Sequence, residues 1–130
     1  MSITGISKEI LANGRKLTFF NQRSKDWTHP YAYHNTENLS SAGCGIFSLC
    51  HCAQWLTGHV QAPEKWADFS CANGGRGDDG TDRPALLHAL MSTGTNVLLG
   101  FRYEEDGLRN DLDTLYQFLL NGDGVSMCNL

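Results

Sequence analysis

The most regular apolar pattern in the chain lies between Cys44 and Thr57 and predicts a helix there. Apolar positions recur three and four residues apart, which is the spacing of one helical face. A face this wide is typical of a helix buried near the centre of a domain. Gly58 follows at the position where a left-handed residue ends many helices. The apolar positions are Ile46, Phe47, Leu49, Cys50, Ala53, Trp55 and Leu56.

Weaker patterns on both sides of this helix predict a mixed α+β domain. Residues 15–21 are typical of a short strand, residues 1–14 of a loosely defined lead-in, and residues 22–43 of a long ordered loop. Prolines in the first turn predict two further helices. The remaining predicted helices run from Pro63 to about Cys71, from a cap at Thr81 or Asp82 with Gly94 after the helix end, and over residues 110–120. The remaining predicted strands cover residues 96–103 and begin at Val125 towards Leu130.

The length and composition are those of one globular domain, which we place at residues 15–130. The chain has 130 residues, of which 41% are hydrophobic and 18% are charged. A net charge of -4 argues against nucleic acid or an anionic membrane as the main partner. The apolar runs are too short for a membrane span. The first residues show no signal peptide, which makes a cytoplasmic location the default expectation.

The predicted helix places Cys44 where a thiol can become reactive. Gly43 and Gly45 flank it with minimal bulk. The helix dipole and the free N–H groups at a helix N-terminus favour a thiolate, which is the nucleophilic form. The alternative is a purely structural role, in which Cys44 is a small buried apolar residue, as most cysteines are. Five cysteines is an odd number, so at least one is free or pairs between chains.

A structural zinc site is a weaker interpretation of the same region. Cys50, His51 and Cys52 together with Cys71 offer zinc-binding atoms. On a helix, however, Cys50 and Cys52 point about 200° apart, so they cannot hold one ion together. We therefore expect neither a metal nor another cofactor.

Two separated motifs carry a resemblance to a known family. Ser41-Ala42-Gly43-Cys44-Gly45 and the residues after it resemble the nucleophile motif of bacterial papain-like cysteine peptidases. The group in question is related to the double-glycine peptidases that process bacteriocins. Phe20-Asn21-Gln22 and Asp26-Trp27 resemble that family's opening strand. Leu56-Thr57-Gly58, Pro63 to Ala67 and Gly80-Thr81 follow in the family's order, and the match extends from Lys16 to Leu130. Ile46 and Phe47 depart from it, since the family often has Pro and Thr there.

The resemblance implies a papain-like fold with Cys44 as the nucleophile and Gln22 as a donor to the oxyanion. It also implies a catalytic histidine on a later strand, followed by an Asn or Asp. No histidine follows His88, so the sequence is similar to the first part of such a domain. We therefore expect the sheet half to be incomplete. A missing segment or a second copy of the chain would cover the strand edge from Val125 to Leu130.

None of the five histidines is an obvious substitute for this base. His51 lies about 10 Å along the helix from Cys44, which is beyond hydrogen-bond reach. His59 and His88 are expected at a helix end and inside a helix. His29 and His34 lie in the loop that leads to Cys44, and of these two we favour His34.

The leading hypothesis is a cysteine peptidase or thiol amidohydrolase that transfers an acyl group through a thioester on Cys44. Its substrate would be a peptide or a protein. The alternative is a catalytically inactive papain-like module that binds a peptide or protein partner, which the missing histidine favours.

Overall fold

The computed structural model describes residues 7–12, 14–92, 116–117 and 120–121. These residues form an α+β fold, as the sequence predicts. The predicted strands over residues 96–103 and from Val125 to Leu130 lie outside the described residues. Within the predicted helix over residues 110–120, the described positions are helical. The elements are β1 (Ser7–Ala12), β2 (Arg15–Phe20), α1 (Leu39–Ala42), α2 (Cys44–Thr57), α3 (Pro63–Ala72), β3 (Arg76–Gly77), β4 (Gly80–Thr81) and α4 (Arg83–Ser92).

β1 and β2 form an antiparallel hairpin at the start of the described chain. Their register pairs Ser7 with Phe20 and Ala12 with Arg15, which leaves a two-residue turn. Gly14 in this turn has a φ of 78°, a conformation that glycine adopts without strain. The sequence pattern indicated a loose lead-in over residues 1–14, and the structure corrects this at Ser7–Ala12. Backbone pairing with β2 creates β1, and a pairing partner is invisible to a local pattern.

The predicted central helix is confirmed at both ends. α2 begins at Cys44 and ends at Thr57, and Gly58 follows with a left-handed φ of 74°. Leu56 departs from the predicted apolar face and is 37% exposed, since it lies in the last turn of the helix. The core around α2 draws on every neighbouring element and consists of Phe20, Trp27, Tyr31, Leu39, Ile46, Phe47, Leu49, Cys50, Ala53, Trp66, Ala67, Leu86, Leu87 and Leu90.

The other two long helices begin as their sequence signals predict. Pro63 occupies the first turn of α3. Asp82 caps α4, because its Oδ1 accepts a hydrogen bond from the Ala85 N–H at 3.1 Å. No described helix is long and apolar enough to cross a membrane.

The loop between β2 and α2 is ordered by two fully buried aromatic residues. Trp27 packs edge-on against Phe20 and Phe47, with ring centroids 5.8 and 5.1 Å apart. Tyr31 is equally buried. The loop ends in α1, where Asn38 and Ser41 form a reciprocal capping box. Only Gly43 separates the end of this short helix from Cys44, the first residue of α2.

Candidate functional site

Cys44 is the first residue of α2, and its side chain is exposed. The preceding residue, Gly43, is the N-cap and supplies no side-chain hydrogen bond to the helix. The Gly43 carbonyl accepts the Phe47 N–H at 2.9 Å, which closes the first turn. The start of an α-helix carries N–H groups without partners inside the helix. An accessible thiol therefore lies beside a helix end that no side chain caps.

The two glycines around Cys44 are required by close packing. A Cβ on Gly43 would lie 2.5 Å from the Leu39 carbonyl oxygen in α1. A Cβ on Gly45 would lie 2.6 Å from the Thr81 Cβ in β4. Both distances are shorter than real carbon contacts, so α1 and β4 approach the start of α2 closely because the glycines leave room. The Gly-Cys-Gly motif thus has a packing reason that is independent of any reaction.

Gln22 lies in the turn that follows β2 and is half-buried. The turn is held by two bonds to the Asn21 carbonyl, from the Ser24 N–H at 3.1 Å and from the Trp27 Nε1 at 2.8 Å. Trp27 also packs on Phe47 in the first turn of α2. The buried indole therefore connects the turn of Gln22 with the helix end of Cys44. In the described part of the chain, no hydrogen bond joins the two side chains.

The structure places His34 and His29 in different surroundings. His34 has a φ of 58°, is exposed, and packs edge-on against the Tyr33 ring at 4.5 Å. His29 is partly exposed, and its Nε2 lies 2.7 Å from the Asp68 Oδ1 on α3. Among the described residues, no hydrogen bond connects either histidine to Cys44. The structure thus gives His34 no contact that supports a role as base.

His51 points towards the β-hairpin rather than towards Cys44. Its Nε2 accepts the Phe20 N–H at 3.1 Å, and its ring stacks on Phe19 at 5.1 Å. Burial lowers the pKa of His51, because a charged imidazolium loses its hydration there. A neutral ring that accepts a backbone N–H is a structural element, as its distance from Cys44 predicted.

A buried polar layer lies next to the start of α2. The Tyr31 hydroxyl is bonded to the Thr81 Oγ1 at 2.7 Å and to the Ser70 Oγ at 2.9 Å. Thr81 is the residue that approaches Gly45. Burial raises the pKa of Tyr31, so its hydroxyl stays protonated at neutral pH. Through Thr81, this hydrogen-bonded layer packs against the start of α2 beside Cys44.

Arg76 completes the layer as a cation that is 5% exposed. Its Nε donates to the Tyr31 carbonyl at 3.2 Å, and its Nη1 donates to the carbonyls of Gly80 and Gly77. Its Nη2 lies 3.5 Å from a Glu37 carboxylate oxygen, an ion pair without hydrogen-bond geometry. Arg76 therefore ties the tight β3–β4 hairpin to the loop that carries Tyr31.

Cys50 and Cys71 differ from Cys44 in their surroundings. Burial raises the pKa of Cys50 to about 12, and its Sγ donates to the Gln61 carbonyl at 3.3 Å. Cys71 is an exposed residue whose thiol is partly shielded from solvent, and this shielding, together with the nearby Asp68 carboxylate, raises its pKa. Within the described ranges, no three His, Cys, Asp or Glu side chains lie close enough to hold a metal ion. Cys44 is thus the exposed thiol that stands at a helix N-terminus.

Sequence reasoning missed the residues that hold this site in place. Gln54, Tyr31 and Arg76 are all buried and hydrogen-bonded. A glutamine within the apolar face of a helix was a signal for Gln54, since a buried amide needs partners. The positions of Tyr31 and Arg76 depend on contacts 45 to 50 residues away along the chain, and no local pattern reports these.

Comparison of the chain with family models, with curated proteins and with solved structures gave no significant match. The resemblance to papain-like peptidases therefore rests on the sequence motifs alone.

Proposed function

We propose that the protein is a cysteine-dependent acyl-transfer enzyme, a peptidase or amidohydrolase of papain-like type, with Cys44 as its nucleophile. The observation that carries the proposal is the exposed thiol at the first residue of α2, beside an N-cap without a side-chain hydrogen bond. Open N–H groups and the helix dipole favour the thiolate at such a position.

The proposed reaction forms and breaks a thioester. The Cys44 sulfur attacks the carbonyl carbon of a peptide or amide bond, and the amine leaves with a proton. Water then attacks the thioester, which releases the carboxylic acid and restores the thiol. The backbone N–H of Cys44 and the side-chain amide of Gln22 would bind the oxyanion in both steps. A donor of this kind contributes about 2.7–4 kcal/mol to transition-state stabilisation.

Support for the role of Gln22 comes from the way its turn is anchored. Gln22 follows β2 by two residues, and the turn is fixed to Trp27 and hence to the first turn of α2. A donor must be preorganised to stabilise an oxyanion. The mutual packing of this turn and α2 is consistent with that requirement.

The first experiment compares the alkylation rates of the individual cysteines by mass spectrometry. Native protein is treated with iodoacetamide between pH 5 and 9, and each cysteine peptide is quantified over time. Cys71 is an exposed thiol in the last turn of α3, but its raised pKa slows its own alkylation. The matched control is therefore Cys44 in urea-unfolded protein. We expect Cys44 to react faster in the native protein than in urea near pH 6, and equal rates in the two states would contradict an activated Cys44.

The second experiment measures hydrolysis of a library of fluorogenic peptide amides. Cys44→Ala is expected to abolish turnover, and Cys71→Ala is expected to preserve it. Gln22→Ala should lower kcat by about 100-fold to 1,000-fold, the usual loss for one oxyanion donor. His34→Gln tests the histidine that the sequence favours as base. Turnover by Cys44→Ala equal to the wild type would refute the proposal.

The alternative is an inactive papain-like module that binds a peptide or a protein. The observation in its favour is that none of the described histidines is hydrogen-bonded to Cys44. It predicts that Cys44→Ala leaves peptide binding unchanged in calorimetry while circular dichroism shows an intact fold. Wild-type turnover of any amide that Cys44→Ala fails to hydrolyse would reject this alternative.

A further inference from the structure

Two side chains of α2 bind the backbone of β2 in the manner of a neighbouring strand. Gln54 is 3% exposed, and its Oε1 accepts the Thr18 N–H at 2.6 Å while its Nε2 donates to the Thr18 carbonyl at 3.0 Å. The His51 Nε2 accepts the Phe20 N–H at 3.1 Å. We call these three hydrogen bonds the α2–β2 clasp.

The geometry of both elements explains why the clasp forms. His51 and Gln54 are three residues apart, so they share one face of α2 with a rise of about 4.5 Å between them. Thr18 and Phe20 are two residues apart on a strand, so their backbone groups point to the same side. That side faces away from β1, because Gln54 occupies both backbone groups of Thr18. The clasp therefore covers the edge of β2 that β1 leaves open.

The two halves of the clasp respond differently to acid. The Gln54 amide has no ionisation between pH 3 and 10, so its bonds to Thr18 do not depend on protonation. The His51 ring accepts the Phe20 N–H through Nε2, and protonation of that nitrogen removes its lone pair. A protonated ring would place two N–H donors face to face. The bond to Phe20 therefore exists for the neutral ring and is lost for the charged one.

Among the described residues, the rings that stack on His51 are uncharged. β2 presents the rings of Phe19 and Phe20 to it. Lys16 on β2 is paired with Glu9 of β1 in solvent, and Glu64 of α3 acts on the Cys50 thiol. Burial alone lowers the pKa of His51. On α2 itself, Cys50 stays neutral because its pKa is about 12.

We propose that His51 is a positioning residue that couples the protonation of its ring to the placement of Gln22 relative to Cys44. Phe20 is the last residue of β2, and the turn that carries Gln22 follows at once. A neutral His51 holds this end of β2 against α2, whose first residue is Cys44. Protonation releases the Phe20 N–H and loosens the turn. The clasp is a property of the fold, whereas its effect on catalysis rests on the proposed function.

The test follows the amide protons of Phe20 and Thr18 by NMR in ¹⁵N-labelled protein between pH 4 and 8. The pH titration of the His51 ring is recorded in the same samples. Each exchange rate is corrected for its intrinsic pH dependence. We expect the protection of Phe20 to fall by about tenfold as His51 becomes protonated, which corresponds to the loss of one hydrogen bond. Thr18 is the internal reference and should keep its protection.

Two variants separate the clasp from a general effect of acid. His51→Gln replaces the ring with an amide oxygen that accepts an N–H at every pH in this range, so the pH dependence at Phe20 should vanish. His59→Gln removes an exposed histidine after the end of α2 and should behave as the wild type. The proposal is overturned if Phe20 stays protected through the His51 titration, or if its pH dependence persists in His51→Gln.

Alkylation of Cys44 and amide hydrolysis, measured over the same pH range, distinguish the two proposals. If Phe20 loses protection as expected but Cys44 is inert at every pH, the proposed function fails and the clasp stands. If wild-type turnover falls in acid while Phe20 stays protected, the clasp fails and the proposed function stands. If both hold, turnover in the wild type falls more steeply in acid than in His51→Gln.

Discussion

The C-terminal half of α2 and its N-terminal end differ in whether their side chains have hydrogen-bond partners. In the C-terminal half, His51 and Gln54 are hydrogen-bonded to the backbone of β2, and Gln54 is almost completely buried. At the N-terminal end, Cys44 is exposed and the N-cap at Gly43 supplies no side-chain bond. One helix thus has hydrogen-bonded side chains in its C-terminal half and an N-terminal end without a side-chain cap, which we call the open end.

This difference indicates which side chains of α2 stabilise the fold and which one the proposed function uses. Buried polar groups that have partners hold elements together, and breaking them costs stability. The exposed Cys44 lies outside the buried core, and under the proposed function it is the nucleophile. Substitution of Gln54 should therefore change stability, and substitution of Cys44 itself should change reactivity.

The largest expected effect is a difference in native alkylation rate between two of the three cysteines of α2, Cys44 and Cys50. A thiol with a pKa of about 12, as in Cys50, is about 0.01% thiolate at pH 8. We expect Cys44 to react at least about 1,000-fold faster at this pH, because it is exposed. Peptide mapping by mass spectrometry measures both rates in one sample. Addition of urea should abolish the difference, and a difference of less than tenfold in native protein would break the comparison.

The next largest effect is expected for Gln54→Met, which removes the bonds to Thr18 and keeps the volume. Two backbone groups of β2 then lose their partners, which should lower the free energy of unfolding by about 2–4 kcal/mol. Urea unfolding followed by circular dichroism measures the change. Gln61→Met makes the same chemical change at a half-buried position between α2 and α3 and should shift stability by less than about 0.5 kcal/mol. Equal stability of the two variants would contradict a structural role for Gln54.

Gly45→Ala tests the close approach of β4 to the open end of α2. The added Cβ would meet the Thr81 Cβ at 2.6 Å. Overpacking of this kind costs about 1–3 kcal/mol, and better helix propensity returns up to about 1 kcal/mol. We expect a net loss of about 1–2 kcal/mol in thermal or urea unfolding. Ser48→Ala, one turn further into α2, is the control and should unfold close to the wild type.

Tyr31→Phe tests the polar layer that supports the same end. The substitution leaves the hydroxyls of Ser70 and Thr81 without the phenol oxygen they contact. We expect a loss of about 1 kcal/mol. Tyr33→Phe is the control at an exposed tyrosine and should be neutral. In a spectroscopic titration, the wild type should show at least one tyrosine that ionises above the ordinary range, and Tyr31→Phe should remove it, since burial raises the pKa of Tyr31.

The smallest expected effect is the contribution of His51 to stability as the pH changes. Its pKa is lowered in the folded protein, so the unfolded chain takes up the proton first. The contribution of neutral His51 to the free energy of unfolding is therefore complete above about pH 6.5. It is lost as the pH falls from there through the lowered pKa of the folded state. The difference in unfolding free energy between the wild type and His51→Gln should shrink from pH 7 to pH 5. A difference that is constant over this range would show that His51 carries no linked proton.

The positions of α2, α3 and α4 were largely predictable, because the sequence signals of a helix are local. The three- and four-residue spacing from Ile46 to Ala53 determines the buried face of α2, and Gly58 ends that helix. Pro63 and Asp82 mark the starts of α3 and α4 in the same way. Each signal acts within one or two turns of helix, so the sequence displays it directly.

The strand before residue 15 and the partners of the polar residues could not be predicted in this way. β1 exists because it pairs with β2, and Gln54 finds its partner 36 residues earlier in the chain. Both His29 and His34 lie in the loop before Cys44, and it is His29 rather than the favoured His34 that lies beside a carboxylate. Which loop residues meet is decided by how the helices pack.

The sequence by itself determined that Cys44 begins a buried helix, that glycines flank it, and that the chain forms an α+β domain. The tertiary structure decided why those glycines are needed, since α1 and β4 close against them. It also decided that the side chains of His51 and Gln54 form hydrogen bonds with the backbone at the edge of β2. The physical reason is range: helix periodicity and capping act between residues a few positions apart, whereas the partners of a buried polar group are brought together when the core closes.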